Sequence, residues 1–169
     1  MLTEKQARIS FLARTNYSRQ KSGDYLSEMS AVLGHQFDPD SLLPIDASDM
    51  YRKEFSRSYQ RGLSDGTSFF RTLQPLSGFG LVEVKVNQFC ERFGTESAIL
   101  LPSHYEPCIR VTVADILEKT KEMLDFDRDT IALASPDREC GFMLDWNPDD
   151  PEWTYELAIW GARWFGAVA

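Results

Sequence analysis

A chain of 169 residues that is 43% hydrophobic, 26% charged and 12% aromatic has enough apolar material for a real core, which excludes intrinsic disorder. No apolar run approaches the roughly 20 residues of a membrane-spanning helix, and the charged start MLTEKQARISFLARTNYSRQ lacks the apolar core of a secretory signal. The net charge of −8 is lopsided, with ten Lys+Arg against nine Asp+Glu in residues 1–75 and eight against seventeen in residues 76–169.

Thr3-Glu4-Lys5-Gln6 fits a capping box, in which hydroxyl and amide satisfy the orphan donors of a helix start. The helix it opens carries Ile9, Leu12 and Ala13 on one side and is expected to end near Tyr17, with a break at Ser22-Gly23-Asp24. A second helix places Tyr25, Leu26, Met29, Val32 and Leu33 on one stripe, with Gly34 at its C′ position. His35 to Ala47 reads as a loop. Ser48 or Asp46 is expected to cap a third helix, MYRKEFSRSYQR, closed by Gly62. Leu63 to Gly80 reads as an irregular connection tucking Phe69-Phe70 beneath the protein, and Leu81 to Phe93 as a strand that turns into a helix.

Ala98 to Leu101 is a short buried strand stopped by Pro102, and Ile109-Arg110-Val111 is another. Thr112-Val113-Ala114-Asp115 is a second capping box. Its helix buries Val113, Ile116, Leu117, Thr120, Met123 and Leu124 and is expected to lie across one face of the sheet that follows. From Thr130 to Trp160 the period of two sets Cys140, Phe142, Leu144 and Trp146 against Gly141, Met143 and Asp145. It likewise sets Trp153, Tyr155, Leu157 and Ile159 against Thr154, Glu156 and Ala158. With Pro136, Pro148 and Pro151 in the breaks, this predicts a meander of three antiparallel strands. The tail, Gly161 to Gly166, is rich in aromatic residues.

Chemical motifs are sparse. His104 and Cys108 put an imidazole near a thiol, but no further ligand pair sits at metal spacing, and His35 lies in another segment. Asp125-Phe126-Asp127-Arg128-Asp129 begins like a calcium loop and then offers Thr130 and Pro136 where Gly and Glu are required. It reads as a polar connector facing water. Asp145, Glu156 and Glu139 are the candidates for acid–base carboxylates. Asp145 and Glu156 fall on the sheet face opposite the large apolar residues, a face that antiparallel sheets commonly leave wet. Arg52, Lys53, Arg57 and Arg61 beside Tyr51, Phe55 and Tyr59 resemble a nucleic-acid surface, against a pI near 4.8.

The expected fold class is α+β: one domain over residues 1–169, with a mainly helical part (1–75) packed on a mostly antiparallel sheet of roughly four to five strands within an acidic part (76–169). The expected function is that of a small non-catalytic cytosolic protein, an inhibitor or immunity-type module that docks a basic partner such as a toxin or nuclease. Its partner-binding residues are expected to be Asp145, Asp149, Asp150, Glu152, Glu156, Trp160 and Trp164, the two tryptophans remaining partly available. No metal and no cofactor is expected. A small enzyme using a carboxylate or His104/Cys108 site is the alternative, and a nucleic-acid contact through the 50–61 helix the second alternative. Cys90, Cys108 and Cys140 form no CxxC pair and read as reduced thiols.

Overall fold

A computed structural model describes residues 3–104, 107–146 and 155–166. Its frame is a six-stranded antiparallel sheet with spatial order β1-β6-β5-β4-β2-β3. The strands are β1 (Phe69–Gln74), β2 (Ser97–Leu100), β3 (Ile109–Thr112), β4 (Thr130–Ala134), β5 (Gly141–Trp146) and β6 (Tyr155–Trp160). Six α-helices accompany them: α1 (Glu4–Leu33), α2 (Ile45–Asp65), α3 (Phe79–Phe93), α4 (Val113–Leu117), α5 (Thr120–Phe126) and α6 (Ala162–Phe165). The class is α+β, as the sequence predicts, and β4-β5-β6 is the expected meander in continuous register from Thr130↔Asp145 to Gly141↔Trp160.

Alternation along each strand sorts side chains between two covered faces. Ala98, Leu100, Ile131, Leu133, Phe142, Leu144, Leu157 and Ile159 join the main core beneath α1, α3, α4 and α5. Ile99, Leu101, Ala132 and Ala134 face the other way, packed with Cys108 against Tyr51 and Phe55 of α2. The face expected to stay wet is therefore the floor under α2, and the sheet is the middle of three layers.

The helical part differs from the sequence reading at its punctuation. α1 runs unbroken through Gly23, because Tyr25, Leu26, Met29 and Leu33 pull its second half onto the core, offsetting a helix cost of roughly 1 kcal/mol for one glycine. The Thr3 box caps it as predicted, and Gly34 ends it at φ 66°. A Cβ at Gly23 would meet nothing within 4 Å. Gly23→Ala is expected to stabilise the protein by about 0.5–1 kcal/mol, read as a higher urea midpoint. A lower midpoint would mean that the helix does not pass through this position.

α2 starts at Ile45 behind Pro44 and continues past Gly62 to Gly66, which takes the left-handed cap at φ 62°. Gly62 serves close approach instead of termination, since a Cβ there would fall 2.2 Å from the Phe69 ring. Ser48 is not a cap: its hydroxyl donates to the Pro44 carbonyl and accepts the Cys108 N–H. The stretch read as irregular contains edge strand β1, paired with β6 from Phe69↔Trp160 to Gln74↔Tyr155. α3 is helical throughout, because Val82, Val86, Phe89 and Phe93 form one buried stripe that outweighs the reluctance of β-branched residues. The expected helix after Thr112 keeps its capping box but breaks at Lys119 (φ −126°, ψ 50°), which lets α5 turn Met123 and Leu124 into the core.

All three cysteines are free thiols. Among the described residues no helix is long and apolar enough to cross a membrane.

Candidate functional site

Two places concentrate polar groups. The first is the end of the sheet where β4 begins, β5 ends and β6 begins. The turn between α5 and β4 holds Arg128 and Asp129 in the left-handed region (φ 55° and 71°), which brings the Asp129 carbonyl to the Trp146 N–H at 2.7 Å. Asp145 accepts from the Thr130 hydroxyl at 2.6 Å. Burial, then the nearby carboxylates of Asp125 and Asp129, push the Tyr155 hydroxyl up. Tyr155 lies between Phe79 (centroids 4.8 Å apart) and Trp146, whose half-buried ring stacks on it at 6.2 Å. The Trp146 indole N–H has no acceptor among the described residues. Lys121, 4.9 Å over the Phe79 ring, and Arg128 in the turn are the cations of this region. Asp149, Asp150 and Glu152 lie outside the described residues, in the connection from β5 to β6.

Three other residues expected at this surface are not on it. Glu156 is 6% exposed, because its carboxylate accepts from the Tyr59 hydroxyl and the Arg71 Nε, each at 2.6 Å. Burial and the bond to Glu156 push Tyr59 up to about 12. Trp160 is 3% exposed: its ring packs on Phe55 and Tyr59, lies where a Gly141 Cβ would sit, and donates to the Ser58 hydroxyl at 2.9 Å. Trp164 is fully buried edge-on to Phe89, its N–H on Glu96. Neither tryptophan is available to a partner, because α2 and α3 cover the faces they occupy. A pair of acid–base carboxylates from Asp145 and Glu156 is likewise closed off.

The 50–61 helix presents no stacking platform. Phe55 and Tyr59 pack inward on Trp160, and the Tyr51 hydroxyl donates to the Pro136 carbonyl. Arg57 pairs with Glu54, and Arg52 donates to the Pro102 carbonyl.

The second place was not legible in the sequence. His104 and Cys108 separate onto opposite sides of the sheet. Cys108 is buried under α2, its thiol pushed up by burial and set against the Ser48 carbonyl. His104 sits on the α1 side between Tyr25 and Phe126, with its Nδ1 2.9 Å from the Asp127 carboxylate. Asp127 does not face water: it is 0% exposed and accepts the Ser103 N–H at 2.9 Å, while the Ser103 hydroxyl donates to the Asp127 carbonyl. Burial raises Asp127 to about 7, against the lowering effect of the Ser103 bonds and of Arg52 and Arg128. Burial and Arg128 lower His104.

The dyad adjoins a cleft of about 300 Å³ lined by one stripe of α1. In the sequence Asp127 is one of three acidic residues in five, and nothing there marks the middle one as the residue that folds inward. No group of three or more His, Cys, Asp or Glu among the described residues could hold a metal ion. The chain matches no protein-family model, no curated protein and no solved structure.

Proposed function

We propose that this protein is a non-catalytic binding protein that docks a basic protein partner at the acidic end of its sheet. The observation that carries this reading is that Asp125 and Asp129 lie near the Tyr155 hydroxyl, at the end of the sheet where β5 also places Asp145, while the nearby Glu156 charge is compensated internally by Arg71. Carboxylates gathered at one end steer a cationic partner and fix its orientation. The half-buried Trp146 ring, stacked on Tyr155, offers an apolar anchor beside them. Asp149, Asp150 and Glu152 extend the same charge in the connecting segment. An inhibitor or immunity-type role toward a cationic toxin or nuclease suits such a surface, because masking a phosphate-binding cleft takes placed carboxylates.

The test is quantitative capture of basic proteins from source cells by wild type and by Asp125→Lys/Asp129→Asn. Asn is chosen at 129 because it tolerates the left-handed backbone. Retention of the principal cationic partner is expected to fall roughly tenfold and to weaken with salt, with the circular dichroism spectrum unchanged. Asp65→Lys, at the opposite end of the sheet, is the control. Equal loss in the control, or no loss in the double variant, sinks the docking reading. Reversing Asp149, Asp150 and Glu152 to Lys is expected to weaken capture in the same direction.

A further inference from the structure

The first half of α1 is apolar on a side that the fold leaves uncovered. Ser18 is the first buried residue of the helix, and every residue from Thr3 to Ala13 is exposed. Glu4–Tyr17 is thus an arm about 21 Å long. Its own Thr3 capping box fixes the start of the helix. Phe11 and Thr15 lie on the row that leads into the core through Ser18, Ser22 and Tyr25, and they line a cleft against Leu42 and Ile45. Ile9, Leu12, Ala13 and Tyr17 fall at i, i+3, i+4 and i+8, a second stripe turned away from that row. Ile9 is 57% exposed, Leu12 51% and Tyr17 60%. From Lys5 to Gly23 the chain carries five cations and no Asp or Glu; removing those five charges from the net −8 leaves −13 on the rest. Arg14 pairs with Asp49, whereas Lys5, Arg8, Arg19 and Lys21 form no ion pair among the described residues. Lys5 sits one turn before Ile9, Arg8 one turn before Leu12 and Arg19 two turns after it, so three cations border the stripe.

We propose that this half of α1 docks the protein on an anionic phospholipid bilayer, with Ile9, Leu12 and Ala13 entering the boundary between headgroups and acyl chains and Lys5, Arg8 and Arg19 meeting the headgroup charge. Helices that lie in a membrane interface combine an apolar stripe, cations along its borders and an aromatic side chain at headgroup level, here Tyr17. The charge is complementary at this place alone, because the −13 carried elsewhere repels an anionic surface. Screening over about 8 Å in physiological salt confines that repulsion to what lies next to the arm. A nucleic acid would take the cations and leave Ile9 and Leu12 in water, so it accounts for half of the observations. A second copy would bring the same cations against themselves along a two-fold helix pair, and like charges oppose that contact.

The experiment sediments the full chain with phosphatidylcholine vesicles, with and without about 30% phosphatidylserine, at low and at physiological salt. Partition onto the anionic vesicles is expected to exceed that onto the neutral ones roughly tenfold and to fall as salt rises. Ile9→Gln/Leu12→Gln, in which Gln keeps helix propensity, is expected to lower the anionic partition roughly tenfold. Lys5→Glu/Arg8→Glu is expected to lower it by a similar factor. All four side chains are exposed, so the urea midpoint is expected to match wild type in both variants. Ile9→Gln/Leu12→Gln is expected to capture the basic partner as wild type does, which separates this surface from the acidic end of the sheet. Equal binding to neutral and anionic vesicles, or an undiminished partition in Ile9→Gln/Leu12→Gln, overturns the proposal. So does an absence of vesicle binding. In that event, dimerisation in sedimentation velocity that Ile9→Gln/Leu12→Gln abolishes assigns the stripe to a second copy, and duplex DNA binding insensitive to that variant assigns the cations to nucleic acid.

Discussion

Arg71→Met is expected to lower the unfolding free energy by about 2–3 kcal/mol, a large effect for a side chain on an edge strand. Arg71 and Glu156 are diagonal neighbours across β1 and β6, on the face that α2 covers. Removing the guanidinium leaves a carboxylate that is 6% exposed with the Tyr59 hydroxyl as its remaining partner. A buried charge that loses its counter-ion costs about 3–5 kcal/mol, and the 40% exposure of the Arg71 side chain places this case below that range. The companion variant is Arg71→Met/Glu156→Gln, in which Gln removes the charge and keeps an acceptor for Tyr59. Chemical denaturation of the two singles and the double forms a cycle, and the double should recover about 1–2 kcal/mol relative to additivity. Strict additivity would mean that the 2.6 Å contact contributes nothing.

The second large effect concerns Asp127, His104 and pH. For an acid raised from 3.8 to about 7 on folding, the native state holds a proton that the unfolded chain has already released between those values. Stability then falls as pH rises through that window, by about 4 kcal/mol for this one group. His104 works in the opposite sense. Its native value is lowered, so below its ordinary 6.5 the unfolded chain takes up a proton first, and stability rises with pH. Below 6.5 the two contributions therefore oppose each other. The wild type thus has a shallower slope below about pH 6.5 than Asp127 alone would give.

The singles expose the two halves. His104→Leu should lose stability steadily from about pH 4 to 7, because the buried carboxylate remains without its compensating base. Asp127→Asn should gain stability with pH up to about 6.5. Urea midpoints at half-unit pH intervals decide the matter. Parallel profiles for wild type and both variants would show that Nδ1 and the carboxylate do not share a proton.

These two networks also mark where sequence reasoning stopped. The meander from Thr130 to Trp160, the strands at Ala98 and Ile109, and both capping boxes were legible because each is written in contiguous residues: alternation, β-branched content, or a hydroxyl three positions before its partner. Gly23 and Gly62 misled as helix ends. Local propensity charges a glycine roughly 1 kcal/mol, whereas a buried stripe such as Tyr25, Leu26, Met29 and Leu33 gains several times that. β1 was missed because its evidence lies in β6, across the sheet.

The chain by itself determined the α+β class, the meander, and the accumulation of negative charge in its second half. Period two announces that a strand has two unlike faces, and it is silent on what will cover the second. Only the tertiary structure decided that α2 lies there, enclosing Trp160 and joining Glu156 to a tyrosine 97 positions away. Only the tertiary structure turned Asp127 inward onto His104 while Asp125 stayed exposed. The physical reason is the same in both cases. Whether a carboxylate stays in water or accepts a buried partner depends on donors brought by segments distant in sequence, and residue order records no such distance.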